Sequence, residues 1–178
     1  MSALVVGLLT LSSRLHCEEW SGFIGMQTRY FTQTGLYSQQ SDTDASLFTE
    51  LEYYTNWDNE RQSLVFKPFF RVDNNDNERS HGDISEFLWV NSQDKFTLKA
   101  GIGKVFWGVT EFYHLVDIIN QTDQVEALDG EDKLGQPMLG IETLDSWGAL
   151  ELFILPGFRE RTFPGEEGRF RTFPPINY

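Results

Sequence analysis

From Trp20 onward the chain switches repeatedly between segments of period-two alternation and clusters of turn-forming residues, and this rhythm restricts the fold more than any other feature. It is clearest over residues 47–58, where Leu47, Thr49, Leu51, Tyr53, Thr55 and Trp57 fall on one side of an extended chain. Phe48, Glu50, Glu52, Tyr54, Asn56 and Asp58 fall on the other. Successive side chains of a strand point to opposite faces, so this segment predicts a strand with one apolar face and one wet face.

Six further segments repeat the theme. Residues 20–31 place Ile24, Met26 and Tyr30 opposite Gln27 and Arg29. Residues 63–73 place Leu64, Phe66, Pro68, Phe70 and Val72 opposite Lys67 and Arg71, and because Pro68 has no N–H to donate, a bulge is expected beside it. A fourth strand lies within 83–90, but Phe87, Leu88, Trp89 and Val90 blur the alternation and leave its faces unassigned. Residues 95–105 set Phe96, Leu98, Ala100 and Ile102 against Thr97, Lys99, Gly101 and Gly103. Residues 138–144 set Leu139, Ile141 and Thr143 against Gly140 and Glu142, and residues 149–158 set Leu150, Leu152 and Ile154 against Glu151. These spans approach the roughly 9–11 residues of a tilted transmembrane strand.

The connections alternate in length. Short ones are expected at 58–61, 91–94 and 145–148, and long ones at 32–46, 74–82, 106–137 and from Arg159 onward. A meander with tight turns at one end and extended loops at the other is the pattern of an antiparallel up-and-down transmembrane β-barrel, and a soluble sandwich has no reason to sort its loops this way. The expected fold is therefore all-β. Seven strands are an odd number and fall short of the eight of the smallest bacterial barrels, and residues 159–178 read as an outer loop without a returning strand. The expectation is an incomplete barrel, an open curved sheet belonging to the N-terminal part of a longer chain.

Composition narrows the reading. No stretch approaches the roughly 20 continuous apolar residues of a membrane-spanning helix, so any contact with a bilayer is made by strands. The apolar residues are rich in aromatics, with 15 Phe, 6 Tyr and 5 Trp. A net charge of −13 argues against nucleic-acid binding, which needs a basic surface. Such an acid surplus fits a solvated pore, a cation-rich cell surface or plain solubility.

Residues 1–17 are expected to be a secretory signal: residues 3–11 form a short apolar run, followed by Ser12, Ser13 and a polar stretch. No Lys or Arg precedes the run, and neither Ser13 nor Cys17 offers a clean cleavage site, which suggests a truncated or misassigned start. The bulky His16 before Cys17 weakens a lipoprotein reading. Cys17 is the single cysteine, which removes disulfides and cysteine-based zinc sites from consideration. Residues 18–178 then form the partial barrel.

The connection 106–137 is more than a link. Thr110, as a helix N-cap, followed by Glu111, Phe112, Leu115, Val116, Ile118 and Ile119, predicts a short amphipathic helix, with a second turn running through Leu128. Such an insert needs a packing partner, either by folding back into the barrel lumen or by capping the barrel mouth or a subunit contact. It carries Glu111, Asp117, Asp123, Glu126, Asp129, Glu131 and Asp132 against Lys133 alone. The next loop carries Arg159, Arg161, Arg169 and Arg171 together with Glu160, Glu166 and Glu167. Opposed across a lumen, the acidic insert and these arginines, with the strand residues Arg29, Lys67, Arg71 and Lys99, would create a transverse field that orients charged solutes; surface salt bridges are the alternative. The pore-lining and constriction candidates are thus Arg29, Glu50, Glu52, Lys67, Arg71, Lys99, Glu111, His114, Asp117, Asp123, Glu126, Arg159 and Arg161.

Enzymatic readings fare worse. His114 and Asp117 share a face of the predicted helix, but two ligands alone make a weak metal site. Ser80 and His81 are adjacent in a hydrophilic loop with no third partner for a triad. Gly101-x-Gly103 lacks the rest of a phosphate-binding fingerprint and is better explained by strand curvature or room for the insert. Asn120-Gln121-Thr122 matches a glycosylation acceptor only formally. No enzyme activity and no cofactor or metal is expected.

Four stretches carry a family resemblance: residues 103–111 (GKVFWGVTE), 114–123, 129–138, and 155–169 with its Pro164-Gly165-Glu166-Glu167-Gly168 turn. On these the chain resembles porin-like outer-membrane proteins of Gram-negative bacteria over Trp20 to about Phe173. The resemblance implies an outer-membrane location, contact with lipid and a barrel architecture, and transfers no catalytic residue. The expected function is a channel for small hydrophilic or charged solutes, constricted by the 106–137 loop, alone or as a homo-oligomer. The alternatives are a non-conducting binding or structural barrel plugged by that loop and, behind it, an outer-membrane enzyme.

Overall fold

The computed structural model describes residues 2–15, 18–106, 118–174 and 176, the first of these stretches by its backbone alone. Eight strands follow one another in a single antiparallel sheet whose spatial order is the chain order. They are β1 (Ser2–Leu15), β2 (Glu18–Tyr30), β3 (Thr43–Trp57), β4 (Gln62–Asp73), β5 (His81–Ser92), β6 (Phe96–Gly103), β7 (Gln136–Asp145) and β8 (Gly148–Ile154). The sheet is open, with β1 and β8 at its edges.

The seven strands from β2 onward match the seven expected from alternation. The segment read as an export signal forms β1, whose backbone pairs with β2 from Ser2↔Tyr30 to Leu15↔Glu18. A short apolar run has the length of both a signal core and a strand, and periodicity alone does not separate the two. β8 ends at Ile154, four residues before its expected limit.

The bulge expected near Pro68 is present. Lys67 pairs with Glu86 but Pro68 pairs with Ile84, leaving Ser85 as the extra residue of β5. An extra residue reverses which parity faces outward. Ile84 before it and Phe87 after it are therefore both exposed on the same side, whereas the blur over 87–90 comes from Leu88 and Val90, apolar residues that share the face of Glu86. Gly101 has φ +133, and a Cβ there would lie 2.0 Å from the carbonyl oxygen of Phe87, so glycine is needed for β6 to approach β5.

The loops sort as expected. β3–β4, β5–β6 and β7–β8 are joined by short links. The first of these turns on Asp58, Asn59 and Glu60, all at positive φ, closed by Arg61 N–H to Asp58 O at 3.2 Å. Residues 31–42 and 74–80 lie at the opposite end, as do the described residues of the third long connection, 104–106 and 118–135.

The insert is the main correction. Among the described residues the single helical element is a 3₁₀ turn, Asn77–Arg79, and no α-helix is present. The core of the helix expected from Thr110 falls in residues 107–117, outside the described residues. The turn expected to run on through Leu128 is one bend closed by Ala127 N–H to Asp123 O at 3.2 Å. Val125, which falls within that expected turn, and Leu134 beyond it are the buried apolar anchors of an irregular segment.

Burial is inverted relative to a water-soluble domain. The buried hydrophobic residues among those described are Val125, Leu134 and Met138 alone, whereas Ser46, Arg71, Asp73, Asp76, Arg79, Asn120, Thr122, Asp123 and Gln136 are buried polar or charged groups. Large apolar side chains cover the other face: Ile24, Met26, Leu47, Leu51, Phe70, Val72, Leu139, Ile141, Leu150 and Leu152 are all exposed. Cross-strand register aligns them in rows, such as Met26↔Leu47↔Val72.

Candidate functional site

The site lies on the polar face of β2–β5, beneath residues 118–135. Alternation puts Gln27, Ser46, Arg71 and Asp73 on that face, and register brings Gln27, Ser46 and Asp73 side by side, with Arg71 opposite Phe48 and His81. Arg71 is almost completely buried and is the hub. Its Nε donates to both carboxylate oxygens of Glu126 at 2.8 and 3.0 Å, and its Nη2 donates to Oε2 at 2.6 Å. Its Nη1 donates to Ser46 Oγ at 2.7 Å and to Gln27 Oε1 at 3.3 Å. The guanidinium stacks on Phe48, 4.3 Å from the ring centroid. A planar fork with several donors suits this site, since a buried cation needs a bonded counter-charge and a partner for each remaining N–H.

A second arginine continues the network. Arg79, from the 3₁₀ turn, pairs with Asp73 at 3.2 Å, donates to the carbonyl of Val125, and shares Gln27 Oε1 with Arg71 at 3.2 Å. The insert is thus held at two successive residues, Val125 through its backbone and Glu126 through its carboxylate. Its root is tied by Asn120, whose Nδ2 donates to Gly103 O and Leu134 O at 2.8 and 2.9 Å while its Oδ1 accepts from Val105 N–H.

The last long segment locks onto both neighbours. Thr162 donates to Asp123 Oδ1 at 2.6 Å, Arg159 pairs with Asp83 and donates to Gly135 O, and Gly165 N–H donates to Asp76 Oδ1 at 3.0 Å. The second glycine of the Gly165-Glu166-Glu167-Gly168 turn has no room for a side chain, because a Cβ at Gly168 would lie 2.3 Å from Asp76 Oδ2.

Burial pushes the Asp76 carboxyl above its ordinary range, and the neighbouring Asp73 charge adds to this against the opposing N–H donors of Gly165 and Glu78. A carboxyl raised in the folded state binds its proton more tightly folded than unfolded. Its stabilising contribution is complete below the unfolded value, about 4, and is lost as pH rises through the folded value. Asp76→Asn, which keeps Oδ1 as acceptor without the charge, should therefore raise the urea midpoint of the detergent-refolded protein at pH 7.5. That gain should shrink as pH falls toward 4; a gain independent of pH would refute the assignment.

The remaining candidates divide. Glu52 and Glu86 flank Lys67 at 3.2 and 3.5 Å, and Lys99 pairs with Glu142 at 3.1 Å, so these form cross-strand pairs nearer the short-turn end. Arg29 pairs with Asp44 at 3.5 Å and lies over Phe170. Arg161 is exposed. The Glu50 carboxylate has no hydrogen bond or ion pair with any described residue. Glu111, His114 and Asp117 lie outside the described residues. Sequence reading passed over Asp73, Asp76, Arg79, Asp83 and Asn120; the Asp73-x-x-Asp76 spacing was the available signal, since Asp73 Oδ1 accepts from Asn75 and Asp76 N–H and Asp76 caps the 3₁₀ turn.

Between strand face and insert lies an open cavity of about 290 Å³, floored by Phe23, Phe48 and Phe69 and bordered by Glu50, Glu126 and Lys133. Among the described residues no cluster of His, Cys, Asp or Glu is arranged to hold a metal ion. Comparison with protein-family models, with curated proteins and with solved structures gave no match.

Proposed function

We propose that this chain forms the wall of an outer-membrane β-barrel of the porin type, a channel for small hydrophilic or charged solutes in which the segment 106–137 narrows the lumen. The observation that carries this reading is the inverted burial: one sheet face is apolar and exposed, the other polar and covered by the insert. An exposed face of Leu, Ile, Phe and Val is costly in water, whereas it suits hydrocarbon, and a lumen tolerates charge. The register rows of apolar residues across β2–β8 support contact with lipid, and homo-oligomers through such a face are compatible with it.

A second reading has its own support. The bonds from Glu126, Asp123, Asp76 and Arg159 lock the long segments together, as expected of a plugged, non-conducting barrel. An enzyme reading has no constellation in its favour among the described residues.

Planar-bilayer recordings of the protein extracted from outer membranes separate the two. The channel predicts discrete conductance steps that enlarge when residues 121–133 are replaced by a short Gly-Ser link. Steps that appear only after the replacement would leave the plugged barrel, and no steps in either form, or recovery of the protein in a fraction other than the outer membrane, would overturn both.

A further inference from the structure

The cavity under the insert contains one carboxylate whose surroundings single it out. Glu50 sits mid-strand on the polar face of β3, and its cross-strand neighbours are Phe23 on β2 and Phe69 on β4. An anion is therefore flanked on both sides by aromatic residues. All three line the cavity, and Phe48 completes a floor in which successive ring centroids lie 5.9 and 6.5 Å apart.

The other carboxylates at this cavity are engaged or disfavoured as anions. Glu126 is held by Arg71, Asp83 by Arg159, and Asp123 by Thr162. Burial pushes the Asp132 carboxyl up, with Asp123, Asp129 and Glu131 adding to this against the charge of Lys104, so its anion is disfavoured. The Glu50 carboxylate has no bonded partner among the described residues. The floor already accepts one cation, since the Arg71 guanidinium lies 4.3 Å from the Phe48 centroid and 5.7 Å from that of Phe69.

We propose that Glu50, between Phe23 and Phe69, is a binding site for small organic cations, of the alkylammonium class. The carboxylate supplies the counter-charge, and the rings supply an apolar surface for the alkyl chain and a negative quadrupole for the ammonium. With five carboxylates against Arg71, Lys104 and Lys133 the lining is net acidic, which disfavours an anion of the same size, and a neutral alcohol gains only the apolar contact. The cavity, at about 290 Å³, accommodates a four-carbon amine. This deepens the channel reading by naming the solute it favours, and it rests on that reading only for the fate of the bound cation.

Ligand-detected saturation-transfer NMR on the protein in detergent micelles tests binding without flux, using butylammonium, butanol and butyrate. Butylammonium should bind more tightly than the other two, and Glu50→Gln should weaken it about fivefold to tenfold. Glu50→Lys should abolish it and favour butyrate, whereas Glu52→Gln, altering a carboxylate already paired with Lys67, should leave binding unchanged. Equal binding of butanol, or a Glu50→Gln protein that binds butylammonium as wild type does, overturns the proposal. Binding lost in Glu50→Gln from a protein that carries no current keeps the site and discards the channel; current without binding does the reverse.

Discussion

Arg71→Ala should destabilise the docking of the insert by roughly 3–5 kcal/mol, because it leaves Glu126 buried without its counter-charge. Arg71 holds both carboxylate oxygens of Glu126 and also satisfies Ser46 and Gln27. One deletion therefore orphans a charge, a hydroxyl acceptor and half of the bridge through which Gln27 links Arg71 to Arg79. The loss should appear as rapid proteolysis within residues 118–135 while the strands stay protected. The double replacement Arg71→Met with Glu126→Leu should recover much of the protection, since an apolar pair has no desolvation penalty. A single variant as resistant as wild type would show that the insert is held elsewhere.

The second large effect is expected on the opposite face. Leu51 lies near the middle of β3, exposed among apolar neighbours. In lipid vesicles Leu51→Arg should cost about 2–4 kcal/mol, the penalty of an arginine facing the hydrocarbon midplane. Ser21→Arg, placed beside Glu52 on the polar face, should change stability by only about 0.5 kcal/mol. Urea titrations in vesicles of matched composition provide the measurement. Equal costs for the two variants would remove lipid contact from the account of the apolar face.

The two experiments probe opposite sides of one sheet, and they connect through its geometry. A strand with alternating faces serves two environments at once, and the bulge at Ser85 keeps β5 in step with β4 where Pro68 cannot donate to the ladder. Without that extra residue either Ile84 or Phe87 would turn inward among the charges.

Much of the sheet was legible because its information is local. Alternation within 47–58 is enough to separate Leu47 and Leu51 from Glu50 and Glu52, and turn residues such as Asp58-Asn59 mark where the strand must end. The insert was not legible in the same way. Val125 fell within the expected second turn and Leu134 lay beyond it, but the path of this segment depends on contacts with distant elements, among them the Arg79 bond to Val125 O across 46 residues of chain. Asn120 matched only a formal glycosylation pattern and is a three-bond tie between strand and insert roots.

The candidate site shows the same division. Arg71 and Glu126 were both among the expected residues, one as a strand-borne cation and the other as part of an acidic loop, but their direct pairing depends on the chain folding back over a separation of 55 residues. Arg79 and Asp76 carried no period, and their loop looked merely hydrophilic.

Sequence by itself thus determined the strands, the two faces of each and the sorting of the loops, because backbone pleating converts residue parity directly into facing. Tertiary structure alone decided the path of the insert, the partner of each buried charge and the isolation of Glu50 between two rings. The first two depend on long-range pairings selected by the desolvation cost of leaving a buried ion without its counter-charge, and the third on the register of β2, β3 and β4.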